Sequence, residues 1–172
     1  MRDTQTRLVH CPSANLKLGS GIAKIAEYLE GGLSVALGAD GAPCNNRMDA
    51  FTEMRTCALL HKVRSGPSAI NAKTALHLAT RGGAEALGLS DVGRIAPEYR
   101  ADIVLLDLNR PHTFPSTGDI YSRLVYAAQP SDVRTVLVDG RVLVRDGELT
   151  GANLGRILSA ADKAAQRVLD AQ

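Results

Sequence analysis

An aspartate set among glycines, Gly38-Ala39-Asp40-Gly41, is the residue of this sequence best placed to do chemistry. It leaves a short apolar run, Leu33 to Leu37, and a carboxylate at the exit of a buried strand can take and return a proton. The same spacing suits a plain Asx turn before Gly41, and spacing alone favours the turn. His10 closes a second run, Leu8-Val9, where a lone histidine is more often a hydrogen-bonded structural residue than a ligand. Asn15 and Lys17 follow in a stretch of small polar residues; they either face a polar substrate or simply make the loop. Asn45, Asn46 and Asp49 read as helix caps. His61 and His77 fall inside helical patterns and His112 lies beside Pro111, so each reads as structural or exposed. No two histidines have His-x-His spacing. Cys11, Cys44 and Cys57 are odd in number, form no CxxC pair and have no base near them in sequence. That argues against a disulfide framework, a closed zinc site and a nucleophile, and predicts free thiols in a reducing compartment.

The elements that must position these residues follow from the apolar pattern. Leu8-Val9 and Leu33 to Leu37, bounded by turn residues, suit buried parallel strands. Ser13 to Gly21 reads as a loop. Ile22, Ile25, Ala26 and Leu29 recur at helical spacing, and Gly31-Gly32 ends that helix. Asn46, three residues before Asp49, has the spacing of an approximate capping box for a helix through Phe51, Met54 and Ala58. Asn71 caps a further helix through Leu76 and Ala79. The alternation implies parallel strands joined by helical crossovers. Near Ala101 the character changes. Ile103 to Leu108 is an aliphatic strand, and Val133 to Val138 with Arg141 to Val144 form a hairpin about Asp139-Gly140. Asp146-Gly147 makes another turn, and Leu154, Ile157, Leu158, Ala161, Ala165 and Val168 mark an amphipathic terminal helix.

Composition narrows the function classes. The net charge of +2 and the absence of a basic stripe give no footing for nucleic acid, and no Trp and few aromatics leave no base-stacking platform. No apolar stretch approaches the length of a membrane span, and Met1 to Arg7 has no apolar core of a secretory signal. The expectation is a soluble, cytoplasmic protein with neither nucleic acid nor membrane as partner.

Two loops carry a detailed resemblance. His10-Cys11-Pro12-Ser13-Ala14-Asn15-Leu16-Lys17-Leu18-Gly19-Ser20-Gly21-Ile22-Ala23 resembles the loop after barrel strand seven in amidohydrolases of the adenosine-type deaminase and triazine chlorohydrolase group. Gly38-Ala39-Asp40-Gly41-Ala42, followed by Asn45-Asn46 and Met48-Asp49, resembles the loop after strand eight. Glu53-Met54-Arg55, Ala58-Leu59-Leu60, Gly93-Arg94-Ile95 and Ala101-Asp102-Ile103-Val104 continue the match. Ala14, Ala39 and Pro43-Cys44 depart from the usual residues of the group.

The resemblance implies an α/β fold. It consists of the C-terminal part of a metal-dependent-hydrolase (β/α)8 barrel, about strands seven and eight with their helices, over residues 1–100. Residues 101–172 then form part of the small antiparallel β domain with a terminal helix. It implies hydrolysis at a nucleoside, purine, pyrimidine or triazine ring, with a divalent metal (zinc or iron) in the full-length parent. Asp40 would be metal ligand and proton acceptor, while His10, Asn15 and Lys17 are candidates to bind the heterocyclic substrate. The group's site also needs a His-x-His pair, two further histidines and a glutamate from earlier strands. The chain is therefore expected to bind no metal and turn over no substrate alone. A non-catalytic assembly module, self-associating or complementing a separate N-terminal half, is the alternative. A binding protein built on the remnant pocket is the third reading.

Overall fold

Two sheets organise the chain, one parallel and one antiparallel. The computed structural model describes residues 3–171. Strand β1 (Leu8–His10) pairs in parallel with β2 (Val35–Leu37), Leu8 opposite Val35 and His10 opposite Leu37. A parallel pair needs a crossover. Here it is made by helices α1 (Pro12–Lys17) and α2 (Ile25–Glu30). After β2 come α3 (Ala42–Asn45), α4 (Ala50–Ser65), α5 (Ala72–Ala79) and α6 (Arg81–Leu87).

The core lies between the parallel pair and these helices. Ile25, Val35, Met54, Ala58, Ile70, Ala75 and Leu78 are buried together, with Leu8 packed against them. Each fully buried Ile or Leu contributes about 1.5–3 kcal/mol. Gly82 lets α6 lie directly on β2: a Cβ there would meet the Val35 carbonyl oxygen at 2.7 Å.

The antiparallel sheet has the order β3 (Ile103–Leu106), β4 (Val133–Val138), β5 (Arg141–Arg145), β6 (Glu148–Leu149). Asp139 (φ 50°) and Gly140 (φ 75°) make the β4–β5 turn with both residues left-handed, the arrangement whose twist matches the flanking strands. Between β3 and β4 a short helix, α7 (Ile120–Ser122), runs into a π turn, Arg123–Ala127. Val125 of that turn is fully buried in the core described above, with Tyr121 and Tyr126 beside it. Helix α8 (Leu154–Leu169) ends the chain, capped by Asn153, whose side chain accepts from Arg156 N at 3.0 Å; none of its residues is buried. No described helix is long and apolar enough to cross a membrane.

Several local expectations need correction. The segment read as a loop from Ser13 contains α1, because Pro12 opens the helix and the Glu53 carboxylate accepts from Ser13 N at 3.1 Å. Sequence spacing cannot show that partner forty residues away. Helix α2 begins at Ile25 rather than Ile22. Asn46 does not cap α4: its φ is 68°, and Asp49 takes the role, accepting from Phe51 N at 2.9 Å. The Asn71 cap forms as expected, accepting from Thr74 N at 2.9 Å.

Candidate functional site

Because β1 and β2 run in parallel, their C-terminal ends open on the same side, and each feeds a loop that carries candidate residues. The β2 loop crosses β1 closely: a Cβ on Gly38 would lie 2.6 Å from Val9 Cγ1 and 3.3 Å from Cys11 Sγ, so only glycine passes. Two residues on, Asp40 is exposed and held at φ 64°. Its Oδ1 accepts from Gly41 N at 2.6 Å, and Oδ2 has no partner among the described residues. The bond reaches the next residue and not the one two on that an Asx turn requires, and the second oxygen stays open. Beside it, the half-buried Cys11 thiol is pushed up, first by burial and then by the Asp40 charge.

The two loops are tied together beneath Asp40. Glu53, buried on α4, accepts from Ser13 N of the β1 loop and, at 2.9 Å, from Asn45 Nδ2 of the β2 loop. Asn45 Nδ2 also donates to Ala39 O at 2.6 Å. On the surface, Lys17 Nζ donates to Pro43 O at 2.7 Å and to Asn46 Oδ1. Lys17 is thus occupied as a strut between the loops. The side-chain amide of Asn15 is half-buried and makes no hydrogen bond among the described residues.

His10 goes elsewhere. On a strand, alternate residues share a face. His10 follows Leu8 toward the helical layer, with 2% exposure. Its ring lies 5.2 Å from that of His61 on α4, Nε2 to Nε2 at 3.2 Å, and Cys57 is buried in the same place. Burial, then the charge of His61, holds His10 down to about 4. Burial, then Arg64, lowers His61. Burial, then Glu53, pushes the Cys57 thiol up to about 12. His112, by contrast, pairs with the buried Asp132 at 2.9 Å, a contact that secures the turn before β4.

Sequence reading gave no role to Glu53, Cys57 or His61 beyond the family pattern. They recur at i, i+4 and i+8 along α4 and so share one face, which the structure buries. Its meeting with His10 is long-range and has no local signal.

The chain belongs to the amidohydrolase family, whose sequence profile matches residues 2–143. It is 45% identical over 164 residues to a 5-methylthioadenosine/S-adenosylhomocysteine deaminase of Pelotomaculum thermopropionicum, covering 95% of this chain and 38% of that protein. An adenosine deaminase structure from Xanthomonas campestris with bound zinc superposes with a TM-score of 0.92 at 36% identity, covering 95% of this chain and 38% of the other. The zinc complex of an atrazine chlorohydrolase from Arthrobacter aurescens gives 0.87 at 29% identity, covering 94% of this chain and 36% of the other. The chain thus spans less than two fifths of the length of these relatives.

A catalytic zinc usually takes about three protein ligands plus an open position. Asp40 fits as one oxygen donor of such a set. Among the described residues it belongs to no grouping of three donors.

Proposed function

We propose that the chain supplies the ends of the seventh and eighth strands, on residues 1–100, and the small β domain, on residues 101–172, of a metal-dependent hydrolase. The substrate class is a heteroaromatic ring bearing an amino or chloro substituent, with the adenine of a nucleoside favoured by the names of the relatives. A water oxygen bonds to the ring carbon, the C–N or C–Cl bond breaks, and ammonia or chloride leaves. The metal, zinc or iron, supplies Lewis acidity toward that water when bound. Asp40 would hold it, and its carboxylate would carry a proton between water and leaving group. The observation that carries this reading is the exposed Asp40 carboxylate, with one oxygen free, at the C-terminal end of a parallel strand, where barrel enzymes keep their reacting groups. Asn15, with its free amide, is the better substrate contact; Lys17 must leave its two loop partners to serve as one, and His10 faces away into the helices.

The test is a chimera in which this chain replaces the matching part of the Pelotomaculum deaminase. It is assayed for ammonia release from methylthioadenosine and adenosine and for chloride release from atrazine. The reading expects turnover by the chimera and a loss of about 1,000-fold or more in Asp40→Asn, as befits a metal-holding proton carrier. Undiminished turnover in Asp40→Asn rejects it, as does a folded, zinc-loaded chimera that turns over none of the panel.

One observation favours a second reading, an assembly module. Among the described residues the parallel sheet has two strands, Val9 on β1 is 56% exposed, and Leu154, Ile157 and Leu158 of α8 are exposed. Unpaired strand edges and bare apolar faces invite a second chain. Sedimentation of the chain over a wide concentration range decides it: self-association supports it, and a strict monomer that ignores an added N-terminal half rejects it.

A further inference from the structure

His10, Cys57 and His61 are the one grouping among the described residues in which three donors of metal-binding type converge. A nitrogen from each ring and the Cys57 sulfur all lie within 4.8 Å of one another, and all three side chains are buried. The residues come from two elements: His10 ends β1, while Cys57 and His61 stand one turn apart on α4. The protein satisfies these polar atoms only in part. The two Nε2 atoms meet at 3.2 Å, but Nδ1 of both rings is buried without a hydrogen-bond partner. Two rings with an orphaned nitrogen each, beside a buried thiol, are an unusual content for a helix–sheet seam.

We propose that His10, Cys57 and His61 form a structural site for a thiophilic first-row transition-metal cation, zinc in type, separate from the loop that carries Asp40. The donor chemistry selects the ion: two imidazoles and one thiolate suit zinc and its neighbours and reject calcium and magnesium, which want oxygen. The spacing suits it as well. Zinc bonds of about 2.0–2.3 Å at tetrahedral angles set donors about 3.3–3.7 Å apart. The two Nε2 atoms already stand at 3.2 Å, and no two of the three donors lie more than 4.8 Å apart, within reach of a side-chain adjustment. On binding, the Cys57 proton is released to solvent and a sulfur–metal bond takes its place. The ion would pin β1 to α4, in the layer beneath the two catalytic loops.

The test uses the 172-residue chain, stripped with chelator and titrated with Co2+ and then Zn2+. One equivalent of cobalt should give a sulfur-to-cobalt charge-transfer band in the near ultraviolet, bleached by zinc. The band should vanish in Cys57→Ala and in Cys57→Ser, and affinity should fall by about 100-fold or more in His61→Gln. Cys11→Ser, Cys44→Ser and Asp40→Asn should each keep it. Circular dichroism confirms that every variant is folded. The wild-type chain decides without any variant: no band, or no cobalt bound, overturns the proposal. So does a band that survives loss of Cys57, or one that depends on Cys11, Cys44 or Asp40.

Discussion

Glu53 and Asn45 meet in a buried hydrogen bond of 2.9 Å, carboxylate oxygen to amide nitrogen, and through it α4 holds the loop that presents Asp40. The other oxygen of the same carboxylate holds Ser13 of the β1 loop. One buried side chain thus fixes both loops at the mouth of the site.

Removing it should therefore cost more than an ordinary helix substitution. Glu53→Ala leaves the Asn45 amide and the Ser13 N–H without their acceptor, and a loss of about 3 kcal/mol is expected. Glu53→Gln keeps one acceptor and should lose about half of that. Urea unfolding of the chain measures both, and equal losses would contradict this division of roles.

Lys17 should behave differently, since its bonds to Pro43 and Asn46 are exposed. Lys17→Met should change global stability by no more than about 0.5–1 kcal/mol. Limited proteolysis should nonetheless speed up within residues 41–48, where the strut lands. Unchanged cleavage there would show that the loops do not need it.

Asp40 carries a backbone cost that is separable from its chemistry. At φ 64° a side chain is strained, with Asn, Asp and Gly the tolerated types. Asp40→Ala should lose about 1 kcal/mol, while Asp40→Gly and Asp40→Asn should be close to neutral. Thermal unfolding of the three variants checks the order.

Gly82→Ala should be among the most damaging single-methyl additions in the chain. Its Cβ would press within 2.7 Å of the Val35 carbonyl oxygen and 3.3 Å of that of His77, both backbone. An expected loss of about 2–3 kcal/mol follows from forcing α6 off β2. Gly83→Ala, with open space at the same test, is the control and should be tolerated.

The pair Asp91–Arg100 supplies a pH dependence. Hydrogen bonds from Arg100, at 2.9 Å to each oxygen, hold the Asp91 carboxyl below the usual carboxylate range. A carboxyl depressed in the folded state stabilises above its unfolded value, near pH 3.9, and that stabilisation is lost as pH falls through the lower folded value. Carboxyl NMR titration should show Asp91 returning toward the ordinary range in Arg100→Gln. An unchanged value would mean that another group sets it. Because the pair is exposed, its contribution to stability should be small.

Much of this arrangement is legible in local sequence. Gly31-Gly32, Asn71 and Asp139-Gly140 mark where helices stop, start and strands reverse, because each acts on its own neighbours. The partners of Ser13 and His10 are not legible that way: both lie on α4, 40 and 51 residues distant, and only packing brings them together. The same reason explains why the polar stripe of Glu53, Cys57 and His61 looks like an ordinary helix pattern until β1 is laid against it. Asp40 is legible because its signal, glycines about a carboxylate at a strand exit, is local.

Helix α8 has 16 residues, and none of them is buried. A helix of that length without buried residues draws little from packing, and its own hydrogen bonds are marginal in water. In hydrogen–deuterium terms its amides answer to the helix–coil equilibrium rather than to global unfolding. Within this chain α8 is energetically a passenger. A label or cross-linker carried there would ride with the protein without disturbing the sheets or the core beneath them.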